Sequence, residues 1–161
     1  MLTDFKNLPD DSRIWVYQTD RKFSDEEVAE IADKTGKFLT QWTAHGANLE
    51  AGFEIKYNRF IVIGLNQENA SASGCSIDAS VHFIQSLEKE YAVDLLDKMN
   101  VTYYNGEHIA FKPLADFKKM AKARSVSPNT VVFNNLVNTK AEYLENWEVP
   151  AKESWHSRFL A

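Results

Sequence analysis

Two short runs leave little freedom in how this chain folds. They are Arg13-Ile14-Trp15-Val16-Tyr17-Gln18 and Phe60-Ile61-Val62-Ile63-Gly64-Leu65. Both are rich in β-branched and aromatic residues. Side chains alternate between the two faces of a strand, so these runs are apolar on both faces and read as interior strands. Leu49, Ala51, Phe53 and Ile55 alternate with polar or small residues, the pattern of a half-buried strand. Tyr57-Asn58 then serves as a turn into the second run.

Helical patterns flank these strands. Ser24-Asp25-Glu26-Glu27 is a capping box with acids in its first turn. Val28, Ile31, Thr35, Phe38 and Trp42 follow as one buried stripe, widened by Ala32 and Leu39. The helix is expected to end at His45-Gly46, with Gly46 as its C-cap. A second helix follows a small-residue turn at Ser71–Gly74. Ser76 is its expected N-cap, and Ile77, Val81, Ile84, Leu87 and Tyr91 form its stripe. Val101–Tyr104 and Glu107–Phe111 then read as a hairpin turned by Asn105-Gly106. Pro113 opens a short helix, Thr130–Phe133 is a short strand, and Thr139-Lys140-Ala141-Glu142 caps a last helix.

The order through Tyr104 is β-α-β-β-α-β. It predicts an α+β fold with a ferredoxin-like core, an antiparallel sheet with helices on one face. The hairpin strand and short helices would extend it. No linker or repeat interrupts the chain, so residues 1–161 are expected to form a single domain, with 128–161 an extension packing back on it.

At 161 residues the chain can bury a full core without a disulfide or metal. The net charge of −5 offers no clustered positive field, so no nucleic-acid partner is expected. No apolar run approaches the roughly 18 residues of a membrane span, and no apolar leader is visible at the N-terminus. A cytoplasmic location is the expectation. The single cysteine excludes an internal disulfide and zinc sites of paired cysteines, and the histidine spacings match no metal-ligand pattern. Neither a metal nor a cofactor is expected.

That cysteine, Cys75, stands at the start of the second helix. Free amides and a partial positive charge at a helix start stabilise an anion or a thiolate. Ser73, Gly74, Ser76 and Asp78 are therefore candidate ligand-binding residues, with His156 from the aromatic C-terminal tail. Cys75 is the candidate nucleophile, with His82, seven residues on, and His45 as candidate bases. Burial as a small apolar residue is the competing structural role for Cys75, and a solvated helix face the competing one for His82.

Several phrases resemble a family of short bacterial proteins of unassigned function. They include Ser73–Glu88 (SGCSIDASVHFIQSLE), Phe53–Leu65 (FEIKYNRFIVIGL) and Trp147–Leu160 (WEVPAKESWHSRFL). Its members often carry the inherited label "ABC transporter ATPase". The resemblance spans nearly the whole chain and implies no catalytic residues. The label does not fit. A phosphate-cradling loop needs G-x-x-x-x-G-K-[ST], and the one Gly-Lys pair, Gly36-Lys37, is followed by Phe38 and lies in a helical pattern. A binding or interaction module for a small anion, a peptide or a protein is thus the leading expectation, with oligomerisation open. The alternative is a cysteine-dependent enzyme.

Overall fold

The computed structural model describes residues 1–160. In chain order its strands and helices are β1 (Arg13–Gln18), α1 (Asp25–Gln41), β2 (Thr43–Ala44), β3 (Ala47–Asn48), β4 (Glu50–Lys56), β5 (Phe60–Asn66), α2 (Gly74–Tyr91), β6 (Asn100–Asn105), β7 (His108–Pro113), α3 (Leu114–Lys122), β8 (Val131–Phe133), α4 (Lys140–Asn146) and β9 (Glu148–Pro150). The fold is α+β, and its sheets are antiparallel. Contacts divide the chain into two compact units. The first comprises residues 1–96 and 138–141; the second comprises 97–137 and the chain from Glu142 onward.

In the first unit β5 lies between β1 and β4, with Val16 opposite Val62 and Glu54 opposite Val62 on the other side. β1 and β4 therefore run parallel on either side of β5, with α1 as the crossover between them. One sheet face carries Tyr17, Ile61, Ile63, Leu65 and Ala51. It packs with Ile31 and Leu39 of α1 and Ile84 and Leu87 of α2. The opposite face meets the N-terminal segment so closely that a Cβ on Gly64 would lie 2.6 Å from Leu8 Cδ1.

The second unit is built on a four-stranded sheet of order β7-β6-β8-β9. Val101, Tyr103, Phe117, Val132 and Val149 are buried in its core.

Strands β1, β4 and β5 with α1 thus match the split β-α-β part of the ferredoxin-like expectation. The expected fourth strand, β6, does not join them; it pairs with β7 and β8 in the other sheet. The segment from 128 is likewise no appendage. Its strands β8 and β9 are half of the second unit's sheet, and only residues 138–141 return to the first unit.

Three local expectations also change. Helix α1 ends at Gln41 with Trp42 as its C-cap, and His45-Gly46 turns the β2–β3 hairpin instead. Both residues have positive φ, 52° and 79°, as a two-residue type I′ turn requires. Helix α2 starts earlier than expected, with Ser73 rather than Ser76 as N-cap. In the β6–β7 hairpin Asn105 pairs with His108, so the loop is Gly106-Glu107 and only Gly106 has positive φ, at 66°.

Candidate functional site

Within the first unit, the end of α1, the β2–β3 hairpin and the start of α2 enclose an open cavity of about 540 Å³. Phe38, Gln41 and Trp42 line it from α1 and its cap. Thr43 and His45 line it from the hairpin. Ser73, Cys75, Ser76 and Ala79 line it from α2.

Each wall is fixed by identifiable contacts. Phe38 stacks on Phe83 with ring centroids 4.6 Å apart and planes 4° from parallel. The Trp42 indole N–H donates to the Ser76 carbonyl at 2.8 Å, joining the end of one helix to the start of the other. The hairpin is closed at its base by Leu49 N–H donating to the Trp42 carbonyl at 3.0 Å.

The first turn of α2 is held by a reciprocal serine box. Ser76 N–H donates to Ser73 Oγ at 3.1 Å, and Ser73 N–H donates to Ser76 Oγ at 2.7 Å. Ile77 N–H donates to the Ser73 carbonyl at 2.9 Å. Two of the helix's orphan donors, the amides of Gly74 and Cys75, have no protein partner among the described residues. The Cys75 side chain is exposed rather than buried.

The cavity therefore gathers Ser73, Cys75, Ser76 and His45 from among the expected site residues. Gly74 sits beside them, exposed, with nothing within 4 Å of where a Cβ would stand. Asp78 and His82 are exposed on α2 and do not line the cavity. Seven helical residues separate the His82 and Cys75 backbones by about 10 Å along the axis, and no hydrogen bond links them.

His156 belongs to the second unit and not to this cavity. It is fully buried, stacked on Trp155 at 3.8 Å and edge-on to Phe117 at 5.7 Å. Ser154 Oγ lies 2.7 Å from its Nδ1. Burial pushes its pKa down to about 4, so it is neutral at physiological pH.

Comparison of the chain with protein-family models, curated proteins and solved structures gives no match. The site's chemistry is read from its own residues.

The sequence pattern marks none of Phe38, Gln41, Thr43 and Ala79 as site residues. Phe38 and Trp42 read from sequence as core stripe. Their spacing of four, with Gln41 between, at a helix end just before a tight hairpin is the signal that places them together. Gly36-Lys37 lies in the middle of α1, where Lys37 pairs with Asp33 at 2.8 Å, so it forms no phosphate cradle. Among the described residues no cluster of three potential metal ligands occurs, and no helix is long and apolar enough to cross a membrane.

Proposed function

We propose that this chain is a non-catalytic binding module whose cavity takes a small anionic group, a carboxylate foremost, against the first turn of α2. The single observation that carries this reading is the composition of the wall. The chain has 23 acidic residues, yet none of the nine residues lining the cavity is acidic. The wall instead offers serine and threonine hydroxyls, a glutamine amide and an imidazole, beside two first-turn amides without protein partners. The positive end of the α2 dipole favours negative charge at this place.

Titration of the isotope-labelled protein with acetate and with inorganic phosphate tests it. Saturable shifts of the Gly74 and Cys75 amides are expected, and Cys75→Glu, which sets a carboxylate at the same turn, should abolish them. Linear, unsaturated drift in the wild-type protein would remove the proposal.

A second reading has one observation in its favour: Cys75 and His45 line the same cavity. A cysteine nucleophile with His45 as base would show thiol alkylation persisting well below pH 8, and His45→Ala would suppress it. Reactivity following an ordinary thiol of pKa about 8.5 in both proteins excludes that chemistry.

A further inference from the structure

We infer that the anionic ligand carries a planar apolar group beside its charge: an arylalkyl carboxylate, either a free small molecule or the C-terminal aromatic residue of a peptide. This rests on the anion-binding reading above and adds the body of the ligand to its charged end.

The first reason is size. A cavity of about 540 Å³ corresponds to roughly eighteen water volumes at about 30 Å³ each. A bare carboxylate or phosphate leaves most of that space to solvent, whereas volumes of about 300–1,000 Å³ are those of sites for larger organic ligands.

The second reason is the nature of the wall away from α2. Phe38 and Trp42 stand with ring centroids 5.7 Å apart and planes inclined at 37°. Neither ring is free to move into the space. Phe38 is backed by the parallel ring of Phe83, and Trp42 by the edge of Trp15 at 5.9 Å and by its own bond to Ser76. Half-buried Phe38 is thus the ring this wall presents, held in place with Trp42, 3% exposed, packed behind it, and a preformed ring edge of this kind favours a second ring packed offset or edge-on. That ring and the anion-accepting turn share one cavity, so one ligand a few bonds long can meet both.

The experiment uses the full chain, isotope-labelled, titrated separately with acetate, benzyl alcohol, cyclohexylacetate, phenylacetate and N-acetyl-Gly-Phe. The readouts are the Gly74 and Cys75 amides and the Trp42 indole N–H. Phenylacetate should bind at least about tenfold more tightly than acetate, benzyl alcohol or cyclohexylacetate. N-acetyl-Gly-Phe binding more tightly than phenylacetate assigns the ligand to peptide ends; weaker binding assigns it to free small molecules. Either result supports the inference. Acetate equal to phenylacetate overturns it and leaves the anion site standing. Cyclohexylacetate equal to phenylacetate overturns the planar requirement. Benzyl alcohol equal to phenylacetate, or no binding by any probe, overturns the anion-binding reading and this inference with it. Phe38→Ala should weaken phenylacetate about tenfold and leave acetate unchanged. If that variant melts early, Phe38→Leu, which retains apolar bulk against Phe83, should show the same selective loss.

Discussion

Gly52, in β4, has the N-terminal segment lying directly on it. A Cβ there would stand 2.7 Å from the Thr3 carbonyl oxygen and 3.0 Å from the backbone N and Cα of Phe5. These are main-chain atoms that cannot swing aside. Thr3 N–H donates to the Ala51 carbonyl at 2.8 Å, and Ala51 N–H donates to the Met1 carbonyl at 3.1 Å. Gly52→Ala should therefore lower the unfolding free energy by about 2 kcal/mol, seen in urea denaturation, and speed hydrogen exchange at Thr3. Gly74→Ala, where a Cβ meets nothing within 4 Å, should change stability by less than about 0.5 kcal/mol. A second residue-scale device is the Arg21–Glu27 pair at 2.7 Å. The Arg21 guanidinium, helped by the Ser24 N–H, holds the Glu27 carboxyl down at about 2. A carboxyl depressed on folding stabilises above its unfolded value, near 4.3, and that contribution fades as pH falls toward 2. Arg21 is 43% exposed, so solvent screening limits the pair to about 0.5 kcal/mol. Arg21→Gln should raise the Glu27 carboxyl toward its ordinary value in a carbon-detected titration, with the Ser24 bond keeping part of the depression.

At the scale of elements, the C-terminal turn around His156 is where acid should act. Its imidazole is fully buried among Trp155, Phe117 and Ser154, and burial alone accounts for its depressed basicity. A histidine at about 4 in the folded chain and about 6.5 when unfolded binds its proton more readily in the unfolded state. Stability is thus fully present above about pH 6.5 and falls as pH drops through the window to about 4. The loss is on the order of 3 kcal/mol at most. Urea midpoints at pH 7.5 and pH 4.5 should differ less in His156→Phe than in the wild type; an equal difference would remove His156 as the cause. Element type was legible in the residues because it is a local property. The strands at 13–18 and 60–65, the Ser24 box and the Pro113 helix start follow from β-branched and aromatic content, capping and fixed φ. Strand β1, expected to be interior, nonetheless lies at the edge of its sheet, and only β5 is inside it. Turns that one residue decides were less so. Asn105-Gly106 satisfies the hairpin pattern, yet Asn105 stays in the strand because Gly106 alone supplies the positive φ of a two-residue loop. The α2 stripe shifted for a related reason. Ile77 is exposed, while Ser76 and Ser80 turn inward, where Ser76 closes the cap and Ser80 meets the buried Tyr17 hydroxyl. Hydrophobic spacing does not register inward polar residues that are bonded.

Strand partnership, which belongs to the whole molecule, was not legible. The order β-α-β-β-α-β suits a four-stranded sheet as well as a three-stranded one whose next strand joins a new sheet. The choice lies in non-local pairing that no short pattern encodes. The candidate site shares that character: Cys75 and Ser73 announced themselves, but Trp42, His45 and Phe38 meet them only through tertiary packing. The same applies to Lys140, read from sequence only as part of a capping box. It lies in the short stretch 138–141 that joins the first unit while its chain neighbours on both sides belong to the second. The stretch is bound there by Ile14 N–H donating to the Asn138 carbonyl and Lys140 N–H donating to the Ser12 carbonyl, each at 2.9 Å. The Lys140 side chain is 6% exposed, and its ammonium donates to the Lys6 and Leu8 carbonyls at 2.9 and 2.7 Å, 5.9 Å from the Phe5 ring centre. No carboxylate pairs with it among the described residues. The two charge-assisted bonds and the ring offset its desolvation. Lys140→Met keeps the apolar stem but leaves two carbonyls without their donor, which should cost about 2 kcal/mol. Because both carbonyls and the 138–141 stretch belong to the first unit, the loss should appear there. Hydrogen exchange should accelerate at Ile14, whose amide bonds to Asn138, and at Leu8. The β6–β7 amides of the same sample serve as the internal reference. Exchange that stays unchanged at Ile14 and Leu8 would show that the ammonium does not hold this stretch in place.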